Sequence, residues 1–186
     1  MNSSHTKVGR RSILGGLGGF VAASMLPLNP ASLESRARTP KNPDDRRRAL
    51  RVAHLTDIHI QPERNAVAGL AACLHHAQSL DEKPDLILTG GDHVMDSFDQ
   101  KLGRTMVQWD LLTKTLKDEN SIPIRYCLGN HDIWGWNKAR SATRGDEKGW
   151  GKTLAMDQLH LAKPYYSFDQ RGWHFVVLDS VRTDPH

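Results

Sequence analysis

Between residues 50 and 128 three short apolar runs alternate with two longer stretches of helical periodicity, and this alternation leaves few folds open. Residues 50–56 and 86–89 read as compact buried strands, and residues 122–128 as a third. Residues 65–80 carry Val67, Leu70, Ala71 and Leu74 at helical intervals, and residues 99–117 carry Leu102, Met106, Trp109, Leu112 and Leu116 in the same way. Lys83-Pro84-Asp85 ends the first helix and resets the chain. A strand-helix-strand-helix-strand order predicts an α/β fold with parallel pairing and right-handed crossovers. Further on, the spacing predicts a helix over 152–161. Two β-rich runs at 165–168 and 173–178, separated by Asp169-Gln170-Arg171-Gly172, read as an antiparallel hairpin.

The polar residues that interrupt the parallel strands all fall at carboxyl ends. Asp57 and His59 follow the first strand, Gly91-Asp92 the second, and Gly129-Asn130-His131-Asp132 the third. An open α/β sheet presents those ends along one edge, where such folds place their ligands. One pocket can therefore collect Asp57, His59, Asp92, Asn130 and His131. Carboxylate, imidazole and amide ligands together suit manganese, iron or zinc. Two dications outweigh the two carboxylates, and the surplus positive charge would hold an anionic phosphate and activate a bound water. Asp92 is the candidate bridge between the ions.

These ordered motifs, at intervals of 35 and 38 residues, resemble the calcineurin-like metallophosphoesterase family. The resemblance implies an α/β layered sandwich of mixed β-sheets flanked by helices. It also implies two divalent or trivalent metal ions, manganese, iron or zinc. The reaction would be hydrolysis of a phosphomonoester or phosphodiester substrate by a metal-activated hydroxide. Carried over by position, Asp57 and His59 bind one metal, Asp92 bridges both, and Asn130 binds the second. His131 would protonate the leaving alkoxide or steady the phosphoryl oxygens, with Asp132 orienting its imidazole. The family also has an isolated His and a Gly-His-x-His motif downstream. Beyond the third motif this sequence has only His160, His174 and His186, none in that context. Residues 50–186 are accordingly expected to be the N-terminal part of such a domain, truncated after its first half. The alternative is a non-catalytic remnant with an incomplete metal site.

Charge is distributed unevenly. Up to Arg51 there are ten Lys/Arg against three acids, leaving fifteen against eighteen beyond it. The basic excess is thus confined to the leader, and the remainder has no basic stripe that would argue for nucleic-acid binding. Within the leader, Arg10-Arg11-Ser12-Ile13-Leu14 before a glycine-rich apolar run resembles a twin-arginine signal peptide, an ordinary secretory signal or an uncleaved anchor being the alternative. Residues 1–30 are read as that signal and residues 31–49 as a flexible linker. The expected partner is export machinery and the expected location periplasmic or extracellular. Cys73 and Cys127 sit in apolar patterns and are expected to be buried thiols. His93, next to the presumed bridge, is expected beside the ligands or at the surface, aimed away from Asp92. His54 is expected to be a satisfied strand histidine.

Overall fold

The computed structural model describes residues 49–182. The expected leader at 1–30, and all but the last residue of the linker at 31–49, lie outside the described residues. Strands β1 (Val52–Leu55), β2 (Leu86–Thr89) and β3 (Ile124–Arg125) form a parallel sheet in the order β1-β2-β3. The crossovers carry helices α1 (Ala66–Ser79) and α2 (Leu102–Glu119). Val52 pairs with Leu86 and Leu55 with Thr89, so β1 and β2 end level with each other. The α/β class with a parallel sheet flanked by helices is therefore the observed one. Among the described residues no helix is long and apolar enough to cross a membrane.

The core lies between the sheet and the two helices. Leu70 and Leu74 of α1 meet Ile87 of β2 and Trp109 and Leu112 of α2. Trp109 and Leu112 are fully buried, each burial contributing roughly 2–3 kcal/mol. Leu102 departs from the expected stripe and is exposed. As the first residue of α2, its side chain leans back past the helix end instead of onto the sheet. Buried Thr105 and Gln108 take the inner face of that turn, and the Gln108 side chain closes a pair of hydrogen bonds with the Asp96 backbone. Cys73 is exposed, because Leu70 and Leu74 define the inward stripe and Cys73 falls beside it. His54 is also exposed, since β1 is an edge strand with alternate residues facing out.

The third strand is shorter than its apolar run. Pro123 has no N–H to donate, although its carbonyl accepts from Ile87 N at 2.8 Å. Beyond Arg125 the backbone donors leave the ladder for side chains: Tyr126 N donates to the Tyr166 hydroxyl, and Cys127 N to the Thr89 hydroxyl. After the short helices α3 (Lys138–Ser141) and α4 (Lys152–Gln158) comes an antiparallel hairpin, β4 (Tyr166–Gln170) and β5 (Trp173–Val177). Its turn is two residues, Arg171-Gly172, both at positive φ, so Asp169 and Gln170 belong to β4. The Tyr166 hydroxyl stitches the hairpin to the residue after β3 by donating to Tyr126 O, and Arg171 pairs with Asp85 at 3.0 Å. Asp85 also accepts from Arg51 N, which fastens the starts of β1 and β2.

Candidate metal centre

Past the last residues of β1 and β2 the chain stops being extended but does not stop pairing. Gly90 N donates to Leu55 O, Asp57 N to Gly91 O, His59 N to Asp92 O, and Ile60 N to His93 O. Two loops that would otherwise expose their backbone groups are thereby zipped to each other. The geometry this demands is unusual, because Asp57, His59 and Asp92 all have positive φ, at 54°, 48° and 53°. Each costs on the order of 1–2 kcal/mol for a residue with a Cβ. Three such residues in one cluster mark backbone strain gathered where the side chains must converge.

Glycine lets the third loop approach. A Cβ on Gly129 would lie 2.0 Å from Asp92 Oδ1 and 2.4 Å from Asp92 N. A Cβ on Gly91, itself at φ 97°, would lie 2.5 Å from Gly129 N. The two glycines of the Gly-Asp and Gly-Asn-His motifs are thus the points where these loops touch. The contact delivers His131 N to Asp92 Oδ1 at 3.0 Å, which fixes one carboxylate oxygen and leaves Oδ2 for other work.

What converges is one imidazole and two carboxylates. Ligand atoms of Asp57, His59 and Asp92 all lie within 4.8 Å of one another. His59 Nε2 stands 3.7 Å from Asp57 Oδ1 and 3.9 Å from Asp92 Oδ2. These separations are too long for hydrogen bonds and near those of atoms sharing one cation at roughly 2.1 Å. Among the described residues neither carboxylate has a lysine or arginine partner, and the buried His59 Nδ1 has no hydrogen-bond partner. Two unneutralised carboxylates facing an imidazole nitrogen fit a divalent cation of the manganese, iron or zinc type.

Of the other expected residues, His131 packs edge-on against His59, with ring centroids 4.7 Å apart. Asn130 opens the 3₁₀ turn that carries His131, its side chain exposed and without a hydrogen bond to the cluster. Asp132 is placed differently from expectation. Its carboxylate does not orient the His131 ring, whose Nδ1 instead meets the Met95 carbonyl. Asp132 is fully buried and accepts from Gly129 N at 2.9 Å, His93 N at 2.8 Å and His93 Nδ1 at 2.9 Å. The short 3₁₀ turn folds this side chain back under its own loop, which is why it meets the second loop rather than its neighbour.

His93 is correspondingly buried, not at the surface. Its ring bridges Asp132 and, through Nε2, the Thr89 hydroxyl at 2.8 Å. Sequence reasoning passed over Thr89, although a threonine closing an otherwise aliphatic strand was the available signal. Nothing in the side-chain sequence marks the Met95 contact, because a main-chain carbonyl makes it. Burial, and then the carboxylates of Asp132 and Asp179, push the Cys127 thiol up from its ordinary range and keep it protonated. A cavity of about 470 Å³ lined by Ile124, Leu159, Tyr165 and Tyr166 includes none of the candidate ligands.

A family model described as calcineurin-like phosphoesterase matches residues 50–180. No curated protein matches the chain.

Proposed function

From the premise that the chain belongs to the calcineurin-like phosphoesterase family, we propose that it hydrolyses phosphoester bonds at a binuclear metal site built on the three strand-end loops. The observation that carries this reading is the convergence of Asp57, His59 and Asp92 within 4.8 Å. Asp57 and His59 would hold one ion, Asp92 would hold both, and Asn130 would reach the second. Such ions, when bound, polarise phosphoryl oxygens and make a coordinated water acidic.

The remaining roles belong to the chain itself. His131 Nδ1 faces a carbonyl, so that nitrogen carries the proton and donates to Met95 O. Nε2 is then the atom left to hold or deliver a proton to the departing oxygen. Its ring is held by the contact with His59 and by the His131 N bond to Asp92. The strained, zipped loops keep these groups in place before substrate arrives, so little reorganisation is left to the reaction.

The test is hydrolysis of bis(4-nitrophenyl) phosphate by chain stripped with chelator and then supplied with manganese. Turnover that appears with the metal and disappears on renewed chelation is expected. A folded chain that binds manganese without hydrolysing mono- or diester would instead support the non-catalytic alternative.

A further inference from the structure

We propose that His93 is a positioning residue that aims the Asp92 carboxylate and sets the affinity of the metal centre, an inference that rests on the metal-dependent reading above. Asp92 holds a left-handed backbone conformation that an isolated residue with a Cβ would leave. Besides the bonds that Asp92 itself receives from His59 N and His131 N, a second set of restraints converges on the next residue. His93 O accepts from Ile60 N of the first loop at 3.0 Å. His93 N donates to Asp132 Oδ1 of the third loop. The ring ties the same carboxylate to Thr89 at the end of β2. His93 therefore touches all three loop systems that supply the candidate ligands, and it is completely buried.

The hydrogen-bond inventory also assigns the ring its tautomer. An ionised Asp132 carboxylate only accepts, so Nδ1 must carry a proton. Thr89 Oγ1 already accepts from Cys127 N at 3.2 Å, and its own proton points to Nε2. This assignment pairs every donor with an acceptor, from the Cys127 amide through Thr89 and His93 to Asp132. The buried carboxylate is offset by the Gly129 N–H, the His93 N–H and the ring N–H. Without the ring, Asp132 loses its one side-chain donor from the second loop and is held there by the His93 and Val94 amides alone. The direction of Asp92 Oδ2 toward His59 then rests on the His131 N bond to Oδ1 and the Gly129 contact without the brace behind them.

The proposal makes the identity of one nitrogen matter. Asparagine carries an N–H near the place of Nδ1, whereas leucine fills the space without one. Manganese binding to the full chain is measured for wild type, His93→Leu and His93→Asn, with the unfolding midpoint and amide exchange at Gly129 followed in parallel. His93→Leu is expected to weaken manganese binding about 10-fold, the low end of the range for losing an outer hydrogen bond around a metal site, because the ring acts on Asp92 through Asp132 and the shared backbone. It should also speed Gly129 exchange, and His93→Asn should recover most of the affinity and the protection. Equal loss of thermal stability in both variants with manganese affinity unchanged would overturn the proposal, leaving His93 a packing residue. Should His93→Leu fail to fold, Thr89→Val removes the far support of the ring, and an affinity equal to wild type would overturn it likewise. A wild-type chain that folds but binds no manganese would refute the metal-centre reading itself, a result separable from any difference among variants.

Discussion

The strand-end loops and the β4–β5 hairpin sit at opposite extremes of backbone regularity, and the irregular region is the more tightly determined. The hairpin pairs five residues with five in unbroken antiparallel register. Its outer side nevertheless leaves Val176 and Leu178 more than half exposed, with Tyr165 beside them. Few contacts fix it: the Tyr166 hydroxyl on the Tyr126 backbone, Arg171 on Asp85, and Lys152 on Asp179. The loops contain no ladder longer than a few bonds, yet they hold Asp57, His59, Gly91 and Asp92 at positive φ and pair with each other through their backbones. Their backbone groups pair across the loops, while His59 Nδ1 at the candidate metal site is left without a partner. Ordered geometry here follows from satisfied hydrogen bonds and close glycine contacts more than from secondary structure.

The contrast can be broken most sharply at Gly129. Gly129→Ala drives a methyl into the Asp92 carboxylate and against the Asp92 amide, a backbone atom that cannot rotate away. The expected cost is about 3 kcal/mol, the upper end for forced overpacking, together with loss of manganese binding. Chemical unfolding and a metal titration of the same sample check both, and an unchanged affinity would mean that the loops are softer than their contacts imply. Tyr166→Phe sharpens the comparison from the other side. It leaves the Tyr126 N–H and carbonyl without their partner, for a loss of roughly 1–3 kcal/mol. Manganese affinity should be retained, because the hydroxyl anchors the hairpin rather than the loops. A metal defect as large as that of Gly129→Ala would merge the two regions into one cooperative unit.

The elements were legible where a single periodicity ruled. Leu70 and Leu74, and Trp109 and Leu112, point inward as their helical spacing requires. The parallel order followed from alternation alone, and with it the gathering of Asp57, His59 and Asp92 at one edge. What escaped the sequence were the contacts across loops. Asp132 and His131 are neighbours in sequence, so pairing them was the natural reading. The 3₁₀ turn sends Asp132 under the loop to His93, and a main-chain carbonyl takes its expected place at His131. β3 fell short for a related reason, its later amides being claimed by the Tyr166 and Thr89 hydroxyls. Periodicity reports which side of an element is buried and carries no information on which loop a polar side chain will reach.

The central claim is that Asp57, His59 and Asp92 form the metal-holding group while His131 acts on the substrate. The most direct measurement is manganese binding and turnover for Asp92→Ala beside His131→Ala, each shown to be folded. The account predicts that Asp92→Ala abolishes binding of the metal. His131→Ala should keep the metal and lose turnover, by about 100- to 10,000-fold if it serves as the proton donor. Equal loss of metal in both variants would contradict the division of roles, and undiminished binding in Asp92→Ala would contradict the site.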